Sequence, residues 1–156
     1  MSEESIKMIC QNKKAFHNFH IEKKFEAGII LKGSEVKSCR QGKVQLVDSY
    51  AAFKKHELYL VKAHISEFKQ GGPFFNHPPV QDRKLLMHKR EILNIKALLE
   101  QQKLTLVPLK MYFKKGKAKV ELGLARGKTH GDKRHSLKEK ESDRKMAQAQ
   151  KRERGK

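Results

Sequence analysis

Tryptophan is absent from this chain, cysteine occurs twice and proline four times. Cys10 and Cys39 allow at most one bridge, which excludes the disulfide-stapled secreted scaffolds and leaves a reduced cytosolic pair as the simpler expectation. No apolar run approaches the roughly 18 to 20 residues of a membrane-spanning helix, and the acidic start Met1-Ser2-Glu3-Glu4 has none of the marks of a secretory signal. Glycine-rich phosphate loops are missing: neither G-x-x-x-x-G-K-[ST] nor G-x-G-x-x-G can be found, which argues against nucleotide hydrolysis. There is no internal repeat. Acidic side chains are also scarce, 17 against 36 lysines and arginines among 156 residues.

The resulting formal charge of +19 exceeds what solubility asks of a small domain and calls for a polyanionic partner, most commonly nucleic acid. The excess is densest at the end. Residues 126–156 carry twelve basic and five acidic side chains, with Leu137 and Met146 as the only large apolar residues. Ser136-Leu137-Lys138-Glu139 has capping-box spacing, and Glu141 with Lys145 forms an i,i+4 pair, so helix is locally encouraged. No apolar stripe follows. Such a segment is expected to be disordered alone and to fold when a partner neutralises its cations. A membrane-surface helix would need an apolar face that this segment lacks.

The body reads as mainly β. Val44 and Leu46, Leu58 and Leu60, and Val120, Leu122 and Leu124 alternate with polar or small neighbours, as half-buried strands do. Lys54-Lys55-His56-Glu57 and Lys114-Lys115-Gly116-Lys117 suit antiparallel hairpin turns. An extended stretch over Phe19 to Leu31, with a bend or bulge expected at Gly28, brings the count to about six strands. Ile92, Ile95, Leu98 and Leu99 fall at helical spacing and predict a helix over His88 to Gln102 that packs one face onto the sheet. A shorter helix is expected over Ser34 to Arg40, capped by Ser34 and ended by Gly42. Gly71-Gly72-Pro73 and His77-Pro78-Pro79 make residues 70–82 a loop. One domain over 1–130 followed by a tail over 131–156 is the expected organisation.

A small β-barrel with basic and aromatic surface groups is a platform for RNA, since rings stack on bases while cations track phosphates. Tyr50, Tyr59, Tyr112, Phe53, Phe74, Phe75 and Phe113 are the stacking candidates, although strand spacing sends most such rings into the core. His17 lies between Lys13-Lys14 and Lys23-Lys24, where an imidazole either stacks on a base or sits on the surface without special function. Glu26 is an acid in a setting built for anions. It is either an exposed ion pair or a carboxylate accepting from base or ribose donors, which cations cannot do. The H-x-x-H spacing of His17 and His20 downstream of Cys10 lacks the two tight ligand pairs of a zinc site, and nothing fixes a nuclease triangle of two histidines and a lysine.

Several blocks together resemble the small protein B family, the SsrA-binding proteins that partner transfer-messenger RNA in bacterial ribosome rescue. They are Asn12-Lys13-Lys14-Ala15, Phe25-Glu26-Ala27-Gly28, Glu35-Val36-Lys37-Ser38, Asp48-Ser49-Tyr50, Arg83-Lys84-Leu85-Leu86-Met87-His88, Thr105-Leu106-Val107-Pro108-Leu109, and Gly127-Lys128 followed by Asp132-Lys133-Arg134. They run in order over nearly the whole chain. The resemblance implies an oligonucleotide-binding-type (OB-fold-like) antiparallel six-stranded β-barrel with about three helices, which agrees with the strand and helix reading. It implies a non-enzymatic adaptor without cofactor or metal, cytoplasmic and monomeric. The barrel would hold the tRNA-like domain through Asn12, Lys13, His17, Glu26, Leu86 and Lys119. Gly127, Lys128, Asp132, Lys133 and Arg134, with Lys138, Lys140 and Arg144 beyond them, would face small-subunit ribosomal RNA in the decoding centre and the empty message channel. Gly131, Gln81 and the pair Ala149 and Gln150 depart from the family pattern. The competing readings are a general RNA chaperone of the cold-shock type and a ribonuclease.

Overall fold

The computed structural model describes residues 5–128. Along them run β1 (Ile6–Gln11), α1 (Lys13–Asn18), β2 (Phe19–Ile29), α2 (Gly33–Arg40), β3 (Val44–Gln45), β4 (Tyr50–Lys54), β5 (Glu57–Val61) and β6 (His64–Ile65). A 3-10 turn over Lys69–Gly71, β7 (Arg83–Leu86), α3 (Lys89–Gln101), β8 (Thr105–Lys114) and β9 (Lys117–Gly127) complete them. Six strands close into a ring in the order β8, β4, β5, β7, β2, β9 and back to β8. The fold is therefore the six-stranded antiparallel barrel with three helices that the family resemblance implied. β1 is a seventh strand added outside the ring on β8, and β3 with β6 forms a separate two-stranded ribbon.

Both expected hairpins are present, and local backbone chemistry explains them. Lys55 and His56 have φ of 50° and 66°, and Lys115 and Gly116 have 52° and 77°, so both turns have the left-handed central pair that matches strand twist. They set Lys54 opposite Glu57 and Lys114 opposite Lys117. The expected bulge at Gly28 is not there. Gly28 pairs in register with Lys119 and Leu86, and β2 slips instead between Ile21 and Lys23. β8 slips between Pro108 and Lys110, a bulge being the place where a strand interior tolerates proline.

One apolar cluster fills the barrel, including Phe25, Ala27, Leu58, Leu60, Leu85, Leu106, Met111, Phe113, Val120 and Leu122. α3 follows its predicted span within a residue at each end and buries Ile95 in that cluster. α1, which the sequence reading did not find, packs Ala15 on Val107, Leu109 and Ala125 in a second cluster. α2 begins at Gly33, and Ser34 is not its cap. The backbone N–H of Lys32 donates to Glu35 Oε1 at 2.9 Å, while Ser34 is buried and hydrogen-bonded to His77. Gly42, at φ 71°, ends the helix as expected. Cys10 and Cys39 are both free thiols, Cys39 in the core and Cys10 packed against it. Burial pushes them up to about 11 and about 12, so both are protonated at neutral pH.

Candidate nucleic-acid interface

β2 and β9 run antiparallel along nearly their whole length, from Phe19 opposite Gly127 to Gly28 opposite Lys119. Side chains alternate across a strand, so Phe25, Ala27 and Ile29 point into the barrel while Glu26 and Gly28 face outward. Leu86 on β7 flanks Gly28 from the other side and is half exposed, an unusual place for leucine. Glu26, Gly28, Leu86, Met87, His88, Glu91 and Lys119 line one groove of about 450 Å³. Three of the six barrel-side residues expected to meet RNA, Glu26, Leu86 and Lys119, thus converge there from three strands. Gly28 gives the groove its floor. A side chain at that position would begin 3.4 Å from the Leu86 Cβ and 3.8 Å from the Lys119 amine, filling the space where a sugar or base edge could lie.

Glu26 is held ionised by its neighbours. The Tyr112 hydroxyl donates to Oε2, the Lys114 ammonium lies 3.4 Å from both oxygens, and Lys119 adds its charge. The Tyr112 hydrogen bond is the main reason the Glu26 carboxyl titrates below its ordinary 4.5. Burial, and the carboxylate it bonds, push the Tyr112 phenol upward. Beside this pair, Glu121 accepts from Lys110 at 3.1 Å and lies 3.8 Å from Lys24. The outer face of β2, β8 and β9 is thereby a lattice of cations with two fixed acids, suited to reading hydroxyl and amino donors among phosphates. Tyr112, one of the stacking candidates, serves Glu26 instead; its place opposite Lys119 in the predicted hairpin was the available signal.

The other three lie around α1, at the far end of the same strand pair. Asn12 is 4% exposed and its amide is fully used: Nδ2 donates to the carbonyls of Pro108 at 2.9 Å and Leu46 at 3.3 Å, and Oδ1 accepts from Ala15 N–H at 3.3 Å. It caps α1 and fixes the helix to the barrel. Lys13 is exposed on that helix and His17 is half-buried. Lys128 donates its backbone N–H to the Asn18 carbonyl at 2.8 Å and its ammonium to the Phe16 carbonyl at 3.1 Å. Gly127 and Lys128 therefore adjoin α1, and together with Asn12, Lys14, Tyr50 and Thr105 they border a cleft of about 500 Å³. Two groups of residues expected to serve different partners meet here. Asp132, Lys133, Arg134, Lys138, Lys140 and Arg144 lie outside the described residues, as do Gly131, Ala149 and Gln150.

The remaining candidates divide by burial. Phe113 belongs to the core, Tyr50 lies under the Lys62 ammonium, and the Tyr59 hydroxyl donates to Glu57. Phe74 and Phe75 are exposed. Gln81 donates to Glu35 Oε2 at 3.2 Å, joining a buried pair in which Arg83 also donates to Glu35. Among the described residues no three His, Cys, Asp or Glu side chains are grouped to hold a metal ion, and no helix is long and apolar enough to cross a membrane.

The family model described as SmpB protein matches residues 9–152. The SsrA-binding protein of Geobacter sulfurreducens is 52% identical over 143 residues, covering 92% of this chain and 93% of its own length. That of Acidothermus cellulolyticus is 51% identical over 147 residues, covering 94% and 92%. A solved chain described as "tmRNA-SmpB: a journey to the center of the bacterial ribosome" superimposes with a TM-score of 0.65 at 46% identity, over 82% of this chain and 93% of that one.

Proposed function

Since the chain belongs to the SmpB protein family, we propose that it is the transfer-messenger RNA-binding adaptor of trans-translation, holding the tRNA-like domain on its barrel and bringing it to stalled ribosomes. The observation that carries the reading is the meeting of Glu26, Leu86 and Lys119 in one outward groove while Gly127 and Lys128 leave the opposite end of the same strand pair beside α1. A folded RNA needs a shaped surface with donors and acceptors at set positions, which the groove supplies. A vacant channel lined with phosphates suits a cationic segment that folds on entering, and residues 131–156 have that composition. Asn12 acts by positioning α1, whereas Lys13, His17, Lys119, Leu86 and Glu26 present themselves to RNA. The adaptor acts in the cytoplasm, without catalysis of its own.

A general RNA chaperone would display rings along its sheet, but Phe25 and Phe113 point inward and the Tyr112 hydroxyl is committed to Glu26. Deletion of residues 131–156 tests the adaptor reading. Affinity for the tRNA-like domain should stay nearly intact while tagging of stalled peptides is abolished. Loss of RNA affinity on truncation, or displacement of the cognate RNA by a large excess of ordinary tRNA, overturns it.

A further inference from the structure

Between Ser66 and Pro79 the chain leaves the barrel as a loop whose base is tied at several points. Asn76 accepts from the Phe68 N–H at 2.8 Å and donates to the carbonyls of Phe68 at 3.0 Å and Gly72 at 2.9 Å. His77 is buried; its Nε2–H donates to the Ile65 carbonyl at 3.0 Å, so Nδ1 accepts from the Ser34 hydroxyl at 2.7 Å. Arg83 donates to the Pro79 carbonyl at 3.1 Å. The Phe75 ring is wedged between two glycines: a Cβ at Gly71 would lie 2.8 Å from its Cδ1, and one at Gly33 3.2 Å from its Cζ. The Lys37 ammonium stands 5.2 Å from the Phe68 ring and 5.1 Å from the Phe75 ring. On this fixed mount Phe74 is 102% exposed, its ring wholly open to solvent.

A bare ring on a rigid loop loses little conformational entropy on meeting a flat ligand, and its surroundings select the ligand. Lys37 beneath the loop and Lys69 within it supply cations, the arrangement that holds a phosphate backbone while a base lies on a ring. The loop rests on Gly33, two residues beyond Leu31, and Leu31 lines an apolar recess with Gly28, Leu86 and Lys119, at the same end of β2 as the RNA groove. We propose that Phe74 is a stacking platform for one unpaired base of the structured RNA held in the Glu26, Leu86 and Lys119 groove. The proposal rests on the adaptor reading and extends the RNA footprint to a loop outside the six residues expected to contact RNA.

The chain contains no tryptophan, so Phe74→Trp in the full-length protein creates a unique fluorophore. Titration with the tRNA-like domain should quench its emission in step with saturation, and Phe74→Ala should weaken that RNA about 5- to 100-fold with an unchanged salt slope, since no charge is removed. Both variants should melt like the wild type because the ring is fully exposed. Saturable binding by wild type, with the indole emission of Phe74→Trp unaltered and Phe74→Ala binding unweakened, overturns the platform and leaves the adaptor reading standing. Absence of RNA binding by the wild type overturns both. A brighter, blue-shifted emission seen only when ribosomes are added overturns the proposal in favour of an apolar protein pocket.

Discussion

Glu26 keeps its charge because a phenol donates to it, and that dependence can be measured at the level of single groups. In Tyr112→Phe the carboxyl should titrate closer to its ordinary 4.5, read by carbon-detected NMR of Glu26. Its folded value is depressed, so what the ionised carboxylate contributes is fully present above the ordinary carboxylate range and is lost only as pH falls through the lowered value. RNA affinity should accordingly show no pH dependence from the titration of this group near neutrality. Glu26→Ala should weaken cognate RNA by about 1.5–3 kcal/mol although it raises the net positive charge, because hydrogen bonds to a charged acceptor outweigh an unspecific Coulomb gain in physiological salt. Tighter binding would refute the role. Asn12 differs in kind. Asn12→Ala removes a cap and takes a donor from the buried carbonyls of Pro108 and Leu46, the second still accepting from Ser49, so it should cost about 1–3 kcal/mol in urea denaturation, whereas Lys119→Ala should lower RNA affinity and leave the midpoint unchanged.

At the scale of elements, α2 and the start of β7 are locked by a buried ion pair. Glu35 and Arg83 are 1% and 2% exposed, and Arg83 also donates to the carbonyls of Ala63, Pro79 and Gln81. Burial alone raises the Glu35 carboxyl, but the Lys32 N–H and the Arg83 guanidinium outweigh it and hold the group below its usual 4.5. Arg83→Met should cost about 3–5 kcal/mol by chemical denaturation, since it strands a buried carboxylate. The pair's share of stability should persist above the ordinary carboxylate range and vanish as pH falls through the lowered value. Which elements were legible in the sequence follows from how local their causes are. Both hairpins were, because their turn residues and flanking alternation sit within a few positions. So was α3, whose four apolar residues mark one face over thirteen residues. α1 was not, being six residues long and held by Asn12 reaching across the barrel to Leu46 and Pro108. Ser34 was misread for the same reason, its partner His77 lying 43 positions away. The groove lay beyond residue patterns altogether. Glu26, Leu86 and Lys119 are brought together by strand pairing; Glu26 stood out as an acid among cations, but only the resemblance to a family named Leu86 and Lys119 in advance.

The strands of the closed ring are followed in the sequence by the cation-rich residues 129–156, and the two should respond differently to salt. Replacing Lys138, Lys140 or Arg144 with alanine should flatten the logarithmic salt dependence of ribosome engagement by about 0.7–0.9 for each phosphate pairing removed, with little effect on binding of the tRNA-like domain. The ring itself is uneven. β9 is paired along β2 on one side and β8 on the other, whereas β4 meets β8 through Ala51 and Leu106 alone. Amide exchange should be slowest in β8 and β9. This arrangement also governs what a broken message for this protein can yield. Translation halted before Lys117 produces a chain in which β2 and β8 each lack their longest partner, and the loss is not confined to the missing residues, because their apolar faces then have no enclosure. Fragments ending before Lys117 should consequently be substrates for proteases rather than half-working copies, whereas a chain that reaches past Gly127 already holds every strand of the ring.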